Sequence, residues 1–576
     1  MFYAAAVCAL IAPAVSEQQS PLPETRVIVS DRTPRPGALS SRICPFTSVA
    51  TNNRGDVLFE SNDRYDGEGQ REQPGLWVLT ENATRLVLRA GVPAPGVPLS
   101  TVSDVGFFRS IDNRGRVSFQ ARLRNEGLQW EGSERTVVYF DRGEGPRPIA
   151  VEGEEAPGTA GGVYRWIGRF GVDSNGRLAL GAGFLPADAQ EHRYSNEGIW
   201  TFDDALNPRL LVSTGSVAPG TTTRFEYLEG GTGVSGPDAS RAFSASLVDD
   251  ANFLYEGIWV AREGGNEALR VAGDPVNAGD PQRFRYLGPP RVNRFGEVFF
   301  RGGVSAPGEP DDAIDFGVWL AIDGHVRQIV RAGDRLPGSR YPFRSSWRSD
   351  RNDRGDIALF AFNAEEIPDQ GPFDFEEGLW LGRPGDLRAV AKSGDRAIGF
   401  DGMVYRDFLD MLINARGDVL FWVSLARPGA FATDEAYFLY DARLDTVYPV
   451  LSRETRAIDE DGAPAQAEVF FTEMTRAFND AGQVVAPAFV YSDAGFGGGV
   501  ILVTPPGRAR PCSADLDRDN DVDLADFAIF ARAFNRDARD ASYEVDTDFD
   551  YDAHVDLGDF GVFPSQFGNT AAECDP

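Results

Sequence analysis

Two stretches near the C-terminus carry most of the residues whose spacing could do chemistry. The first is Asp515-Leu-Asp517-Arg-Asp519-Asn-Asp521-Val-Asp523-Leu-Ala-Asp526. Carboxylates stand at positions 1, 3, 5, 9 and 12, and Asp521 at position 7 can offer its backbone carbonyl. The second is Asp548-Phe-Asp550-Tyr-Asp552-Ala-His554-Val-Asp556-Leu-Gly-Asp559, with Asp at the same five positions and His554 at position 7. Five carboxylates in so short a loop repel one another until a cation arrives. Hard oxygen donors in this number select calcium over zinc, so two calcium ions are expected. Asn520 at position 6 tolerates the left-handed turn that such a loop needs, whereas Ala553 strains it. The second site is therefore expected to be the weaker.

The copies also match beyond the ligands. Val522-Asp-Leu-Ala-Asp-Phe527, with Phe530 and Phe534, repeats as Val555-Asp-Leu-Gly-Asp-Phe560, with Phe563 and Phe567. Apolar residues at i, i+3 and i+7 predict a helix leaving each loop. A solvated acidic tail would have no reason to keep phenylalanines in register. Asp rather than Glu at position 12, together with the duplicated loop and helix, resembles a type I dockerin. Cys512 and Cys574, which bracket the module, resemble the Cys-bracketed bacterial variety. The resemblance implies that calcium folds two helices, which present a surface to a cohesin partner. Positions 10 and 11, which often influence partner choice in that family, are Leu524-Ala525 and Leu557-Gly558 here. They are more apolar than the family's common Ser-Thr pair, so a different cell-surface protein stays open as the partner. Gly558, Gly561 and Pro564 weaken the second helix, which predicts that the module needs calcium to fold.

The elements in front of this module are far larger. The chain has 576 residues, too many for one ordinary core, and its 63 Gly and 37 Pro predict many turns and little long helix. A net charge of −31 repels phosphate backbones and anionic lipid, so no nucleic-acid partner is expected. Residues 2–15 form an apolar run too short for a comfortable membrane span, and Ala14-Val15-Ser16 has the small residues of a cleavage site. Residues 1–16 read as a signal peptide, and no other stretch reads as transmembrane. The protein is thus expected to be secreted, extracellular or associated with the cell surface. An oxidising exterior would let Cys512 and Cys574 pair, worth about 4 kcal/mol in the chain-entropy picture. Cys44 reads as a small buried hydrophobe.

A repeat fills the body. Asn52-Asn-Arg-Gly55-Asp-Val-Leu-Phe59 returns as Asp112-Asn-Arg-Gly115-Arg-Val-Ser-Phe119, and again from Asp173, Asn293, Asn352, Asn414 and Asn479, with a degenerate copy at Arg241-Ala-Phe243. The first residue and the glycine suit a tight turn, and the apolar alternation after it reads as a strand. A second strand carries Gly-x-Trp at Trp77, Trp200, Trp259, Trp319 and Trp380. A third runs into Pro-Gly turns such as Pro95-Gly96, Pro219-Gly220 and Pro337-Gly338, and a fourth is short and aromatic, as at Phe225-Glu-Tyr227. Four antiparallel strands per unit make a propeller blade. The body opens on a third strand, Arg26-Val-Ile-Val29, and a candidate fourth around Phe46; it closes on a first strand at Val484 and a second at Val500-Ile-Leu-Val503. A ring gains by pairing such ends.

The expected fold is all-β: an eight-bladed, alternatively seven-bladed, β-propeller with a split closing blade, followed by a small α-helical EF-hand-like calcium-binding domain. The boundaries are a linker at 17–24, the propeller at 25–505, a linker at 506–511 and the terminal domain at 512–576. The propeller repeat resembles uncharacterised secreted propeller-like families of planctomycete-type bacteria, a likeness that implies architecture and not activity.

In such blades the first-to-second loops, including 62–74, 185–197 and 363–377, share a face with the Pro-Gly loops. That face is the expected ligand surface, for polysaccharide or protein. The Gly-x-Trp indoles could stack on sugars, but their regular place in a strand makes them structural. The acidic residues of the turn phrases recur in every unit and read as turn formers rather than as a glycosidase pair. His192 and His325 are the body's histidines and Lys392 is the lysine, which leaves little for metal clusters, Schiff bases or Ser–His–Asp triads. No catalytic residue is assigned. The leading reading is an anchored binding or scaffold protein; the alternative is a polysaccharide hydrolase or lyase in a dockerin-containing complex.

Overall fold

Each repeat phrase opens a hairpin because its first side chain and its glycine solve two halves of one problem. In the computed structural model, Asn414 Oδ1 accepts from the amides of Arg416 at 3.0 Å and Asp418 at 2.9 Å, bending the chain back. Gly417 then takes φ +86°, a conformation open to glycine without a steric penalty. The structure describes residues 23–30, 49–63, 73–80, 83–125, 134–172, 178–187, 196–229, 241–248, 254–262, 265–309, 314–365, 374–432, 434–469, 477–493, 495–505, 513–517, 519, 521–540, 542–550 and 552–570. The signal segment, Cys44, Phe46, the 506–511 linker, Cys512, Asn520 and Cys574 lie outside them.

Seven separate antiparallel sheets follow the order fourth, first, second, third strand. One is Ser100–Ile111, Val117–Asn125, Glu134–Asp141 and Pro146–Val151; another is Val404–Ile413, Val419–Ala426, Asp434–Asp441 and Thr446–Ser452. An eighth sheet joins the two ends of the body. Glu24–Val29 pairs antiparallel with Gly495–Thr504, beside Val484–Ser492 and Pro464–Val469, and Thr455–Ile458 pairs parallel with Glu24–Val29 to close this sheet into a barrel. The arrangement is a β-propeller of seven open blades, the count held as the alternative, with the eighth repeat phrase in the sheet that unites the termini. The first strands are buried nearly end to end, as in Ile357–Ala364 and Val419–Ala426, rather than on alternate residues. Blades stack face to face, so both sides of a first strand are covered. Among the described residues, no helix is long and apolar enough to cross a membrane.

The Gly-x-Trp indoles are fully buried, which removes the sugar-stacking reading. Trp200, Trp259 and Trp380 donate Nε1–H to the carbonyls of Pro157, Pro219 and Pro337 at 2.8, 3.1 and 3.0 Å, tying each second strand to a Pro-Gly turn. The indole folds back over the glycine two residues earlier: a Cβ at Gly198 would stand 2.5 Å from the Trp200 ring, and one at Gly257 would stand 2.3 Å from Trp259. Where the sequence lacks the motif, a smaller ring permits a side chain there. Tyr139 follows Val137 and donates its hydroxyl to Pro95 O at 3.1 Å, and Phe438 follows Ala436. Adjacent blades are also joined by a glutamate that precedes the glycine. Glu197, Glu256 and Glu377 accept from the amides of Leu228, Leu287 and Phe408 in the next unit.

Neighbouring turns are linked by asparagine side chains, including across the junction of the two ends. Asn52 Nδ2 donates to Asp112 O at 2.8 Å, Asn352 to Asn414 O at 3.0 Å, Asn414 to Asn479 O at 3.2 Å, and Asn479 back to Asn52 O at 3.0 Å. The closure is reinforced by Asp480 N donating to Asn53 Oδ1 at 2.8 Å. Truncating Asn414 to alanine strands the Arg416 and Asp418 amides and removes the bond to the next turn at Asn479 O. Asn414→Ala is expected to lower unfolding stability by about 2–4 kcal/mol in a denaturant titration, against under about 0.5 kcal/mol for Asn207→Ala in an exposed turn.

Burial pushes the Glu377 carboxyl up to about 7; the Phe408 amide pulls it down and Asp407 adds to the rise. A carboxyl raised on folding stabilises the fold at low pH, and that contribution is lost as pH rises from the ordinary carboxylate range through 7. Glu377→Gln keeps an acceptor for Phe408. The variant is expected to melt like the parent at pH 5 and above it at pH 8; a pH-independent difference contradicts the assignment.

Candidate metal centre

The two acidic loops fold alike. Asp526 Oδ1 accepts from the amides of Leu516 at 2.6 Å and Asp517 at 3.0 Å, and its Oδ2 accepts from Asp523 N at 2.7 Å. Asp559 repeats this with Phe549 N at 2.6 Å, Asp550 N at 3.2 Å and Asp556 N at 2.8 Å. Each final aspartate thus gathers its loop around a buried carboxylate and starts a helix. Asp523 caps α1, Leu524–Ala533, through the Ala525 amide at 2.6 Å, and Asp556 caps α2, Leu557–Phe560, through the Gly558 amide at 2.7 Å. Both ends are capping boxes closed by Asp526 and Asp559. The second helix is short, as Gly561 and Pro564 predict, and the chain resumes as α3, Phe563–Gln566.

Three carboxylate groups converge closely enough to share a cation. Asp515, Asp517 and Asp519 place oxygens within 4.8 Å of one another, as do Asp521, Asp523 and Asp526, and Asp548, Asp550 and Asp559. Asp552 and Asp556 lie outside the last group. Asp552 Oδ1 accepts from His554 N at 2.9 Å, a turn role. His554, whose expected part was a backbone carbonyl, makes a T-shaped ring pair with Phe295 of the propeller, the centroids 6.4 Å apart. Asp521 Oδ1 is buried without a hydrogen-bond partner. Gly558 has a packing reason beyond helix weakness: a Cβ there would stand 2.9 Å from Asp550 Oδ2 and 3.2 Å from Asp556 Oδ1.

Crowding shows in the electrostatics. Burial, then the Asp526 and Asp519 charges, raises the Asp517 carboxyl; burial, then Asp519 and Asp523, raises Asp521. In the second loop burial pushes Asp548 up to about 8 and Asp559 up to about 6. Tyr543 donates its hydroxyl to Asp548 at 2.6 Å and opposes that rise.

Ala553 takes φ +63°, the left-handed turn expected to strain an alanine. Its amide donates to Asp548 Oδ2 at 2.8 Å, so the turn holds a loop carboxylate in place. Ala553→Gly is expected to slow hydrogen exchange of the α1 amides about two- to fivefold, from relief of roughly 0.5–1 kcal/mol; faster exchange contradicts the strain.

The module packs its own core from Ala514, Leu516, Val522, Phe530, Ala533, Ala538, Tyr543, Ala553, Val555 and Phe563. Of each phenylalanine trio, only the middle member is buried. Phe527, Phe534 and Phe560 are 38–39% exposed and, with Leu557 at 76%, line an apolar groove with Phe530 and Ala531. The sequence reading also missed a contact. Phe295 stands in the turn slot held elsewhere by Arg54, Arg114, Arg354 and Arg416, and packs against the module core. That odd residue was the available signal. The first-to-second loops of the expected ligand face fall largely at 64–72, 188–195 and 366–373, outside the described residues.

Fold and site define the class: a β-propeller followed by a module of paired acidic loops. The chain belongs to the family described as "Family of unknown function (DUF7453)", whose profile matches residues 16–242 and again 195–500, two overlapping passes along one repeat array. No curated protein matches it in sequence. Its structure is similar to the β-propeller domain of the Trilobed protease from Pyrococcus furiosus, at 11% identity and TM-score 0.33 over 69% of this chain and 97% of that one. The Dos1 propeller is similar at 10% identity and TM-score 0.33, over 80% and 92%. The α-L-arabinofuranosidase Arb93A from Fusarium graminearum is similar at 9% identity and TM-score 0.27, over 59% and 94%.

Proposed function

We propose that this protein is a secreted binding or scaffold propeller whose C-terminal module takes two calcium ions and anchors it to a cohesin-like or other cell-surface protein. The observation that carries the reading is the duplicated geometry of Asp526 and Asp559, each of which ties its loop to the start of a helix. The donor set is all oxygen, as calcium prefers, and the unpartnered Asp521 Oδ1 fits a loop organised for a cation. Asp515, Asp517, Asp519, Asp523 and Asp526 would hold one ion with the Asp521 carbonyl. Asp548, Asp550, Asp552, Asp556 and Asp559 would hold the other with the His554 carbonyl. A bound ion would cancel repulsion that otherwise opposes closure of each loop. The partner surface is the groove of Phe527, Phe534, Leu557 and Phe560, which stays exposed with the propeller present.

Hydrogen exchange of the full chain tests the calcium reading. With chelator, the α1 amides are expected to lose protection at least tenfold while the first-strand amides of the blades keep theirs. Equal protection of α1 with and without chelator contradicts it. A glycan binding and hydrolysis screen separates the scaffold from the polysaccharide hydrolase or lyase: retention without product supports the scaffold, and released product supports the enzyme.

A further inference from the structure

The second acidic loop lies against the propeller. Asp546, two residues before it, pairs with Arg416. The Arg539 guanidinium sits 4.2 Å over the Phe295 ring, whose other neighbour is His554. Arg294 lies within electrostatic reach of Asp548, and Arg114 within reach of Asp550. These propeller residues belong to the second, fifth and seventh turn phrases of the ring. A body that reaches all three lies across the middle of the turn face and not at its rim. Arg294 is itself half-buried and fixed there by Asp353, to which its Nε donates at 2.8 Å. It therefore keeps its charge beside the loop.

We propose that the module is a plug across this end of the propeller, and that Arg294 and Arg114 compete with a divalent cation for the carboxylates of the second loop. The proposal rests on the calcium reading above. Docking supplies positive charge to Asp548 and Asp550; a cation supplies the same charge and repels the arginines. Coupling of this kind is reciprocal, so cation loading weakens docking by the factor by which docking weakens the cation. The propeller thereby tunes the second site, and cation supply decides how firmly the plug is held. Phe295 gives docking its apolar anchor, which accounts for an aromatic in a slot that holds arginine in four other phrases.

Calcium titration of the full-length chain by calorimetry tests this, with the first loop as internal reference. Arg294→Gln keeps a donor for Asp353 and removes the charge. It is expected to tighten one of two calcium sites roughly three- to tenfold while the other stays within about twofold. The double variant Phe295→Ala with Asp546→Asn keeps Arg294 but removes the anchor. It is expected to tighten the same site and to increase the radius of gyration in small-angle scattering. Two calcium sites with parental affinities in both variants overturn the coupling and leave the calcium reading intact. A parental chain that binds no calcium overturns both.

Discussion

The structure depends on one side-chain amide used over and over. At Asn52, Asn352, Asn414 and Asn479, the asparagine that opens the turn phrase accepts one or two backbone amides of its own turn and donates to the carbonyl of the next turn. Asn479 to Asn52 is the same bond made between the two ends of the body. A buried amide with both functions satisfied is rigid, and losing either partner strands groups that water cannot reach. The ring therefore sets the spacing of the blades at one face. The sheet formed by Glu24–Val29 with Gly495–Thr504 closes it at a second level.

That face also receives the terminal module. The side chains of residues two and three of a turn phrase take no part in the turn's own hydrogen bonds, which use the backbone, so they can vary without loss of the hairpin. Arg294, Phe295 and Arg416 occupy such slots and meet Asp546, Asp548, Arg539 and His554. A scaffold built by repetition thus acquires a specific docking surface through a few changed positions. The acidic loops are organised on the same principle at smaller scale, with Asp526 and Asp559 each serving as both loop centre and helix start.

Much of this was legible in the residues. The Asn- or Asp-x-x-Gly phrases located seven of the eight first strands, because turn chemistry is local; Arg241–Val248 was marked only by its degenerate copy. The split termini announced closure, because an unpaired third strand needs a partner. The five tryptophans marked second strands, but Tyr139 and Phe438 in the same place were invisible: a smaller ring allows Val137 or Ala436 where the indole demands glycine. The glutamates at 197, 256 and 377 escaped notice because their partners are amides in the next unit, and sequence spacing says nothing of such contacts. In the module, ligand spacing and capping were readable, whereas docking was not. Phe295 and Asp546 are far apart in the chain, and each looks ordinary by itself. The duplicated phenylalanines mark a helix face, yet only Phe530 and Phe563 reach the core and the other four stay exposed.

The central claim is that the propeller is a ring closed by asparagine side chains. Hydrogen exchange at the junction reads it most directly. The Asp480 amide bonds across the closure to Asn53, and the Ala415 amide makes the equivalent bond at an interior junction, to Asp480. The closed ring predicts that both amides exchange with the same protection, within about threefold. Exchange of the Asp480 amide at the rate of an exposed turn, with Ala415 still protected, would contradict it.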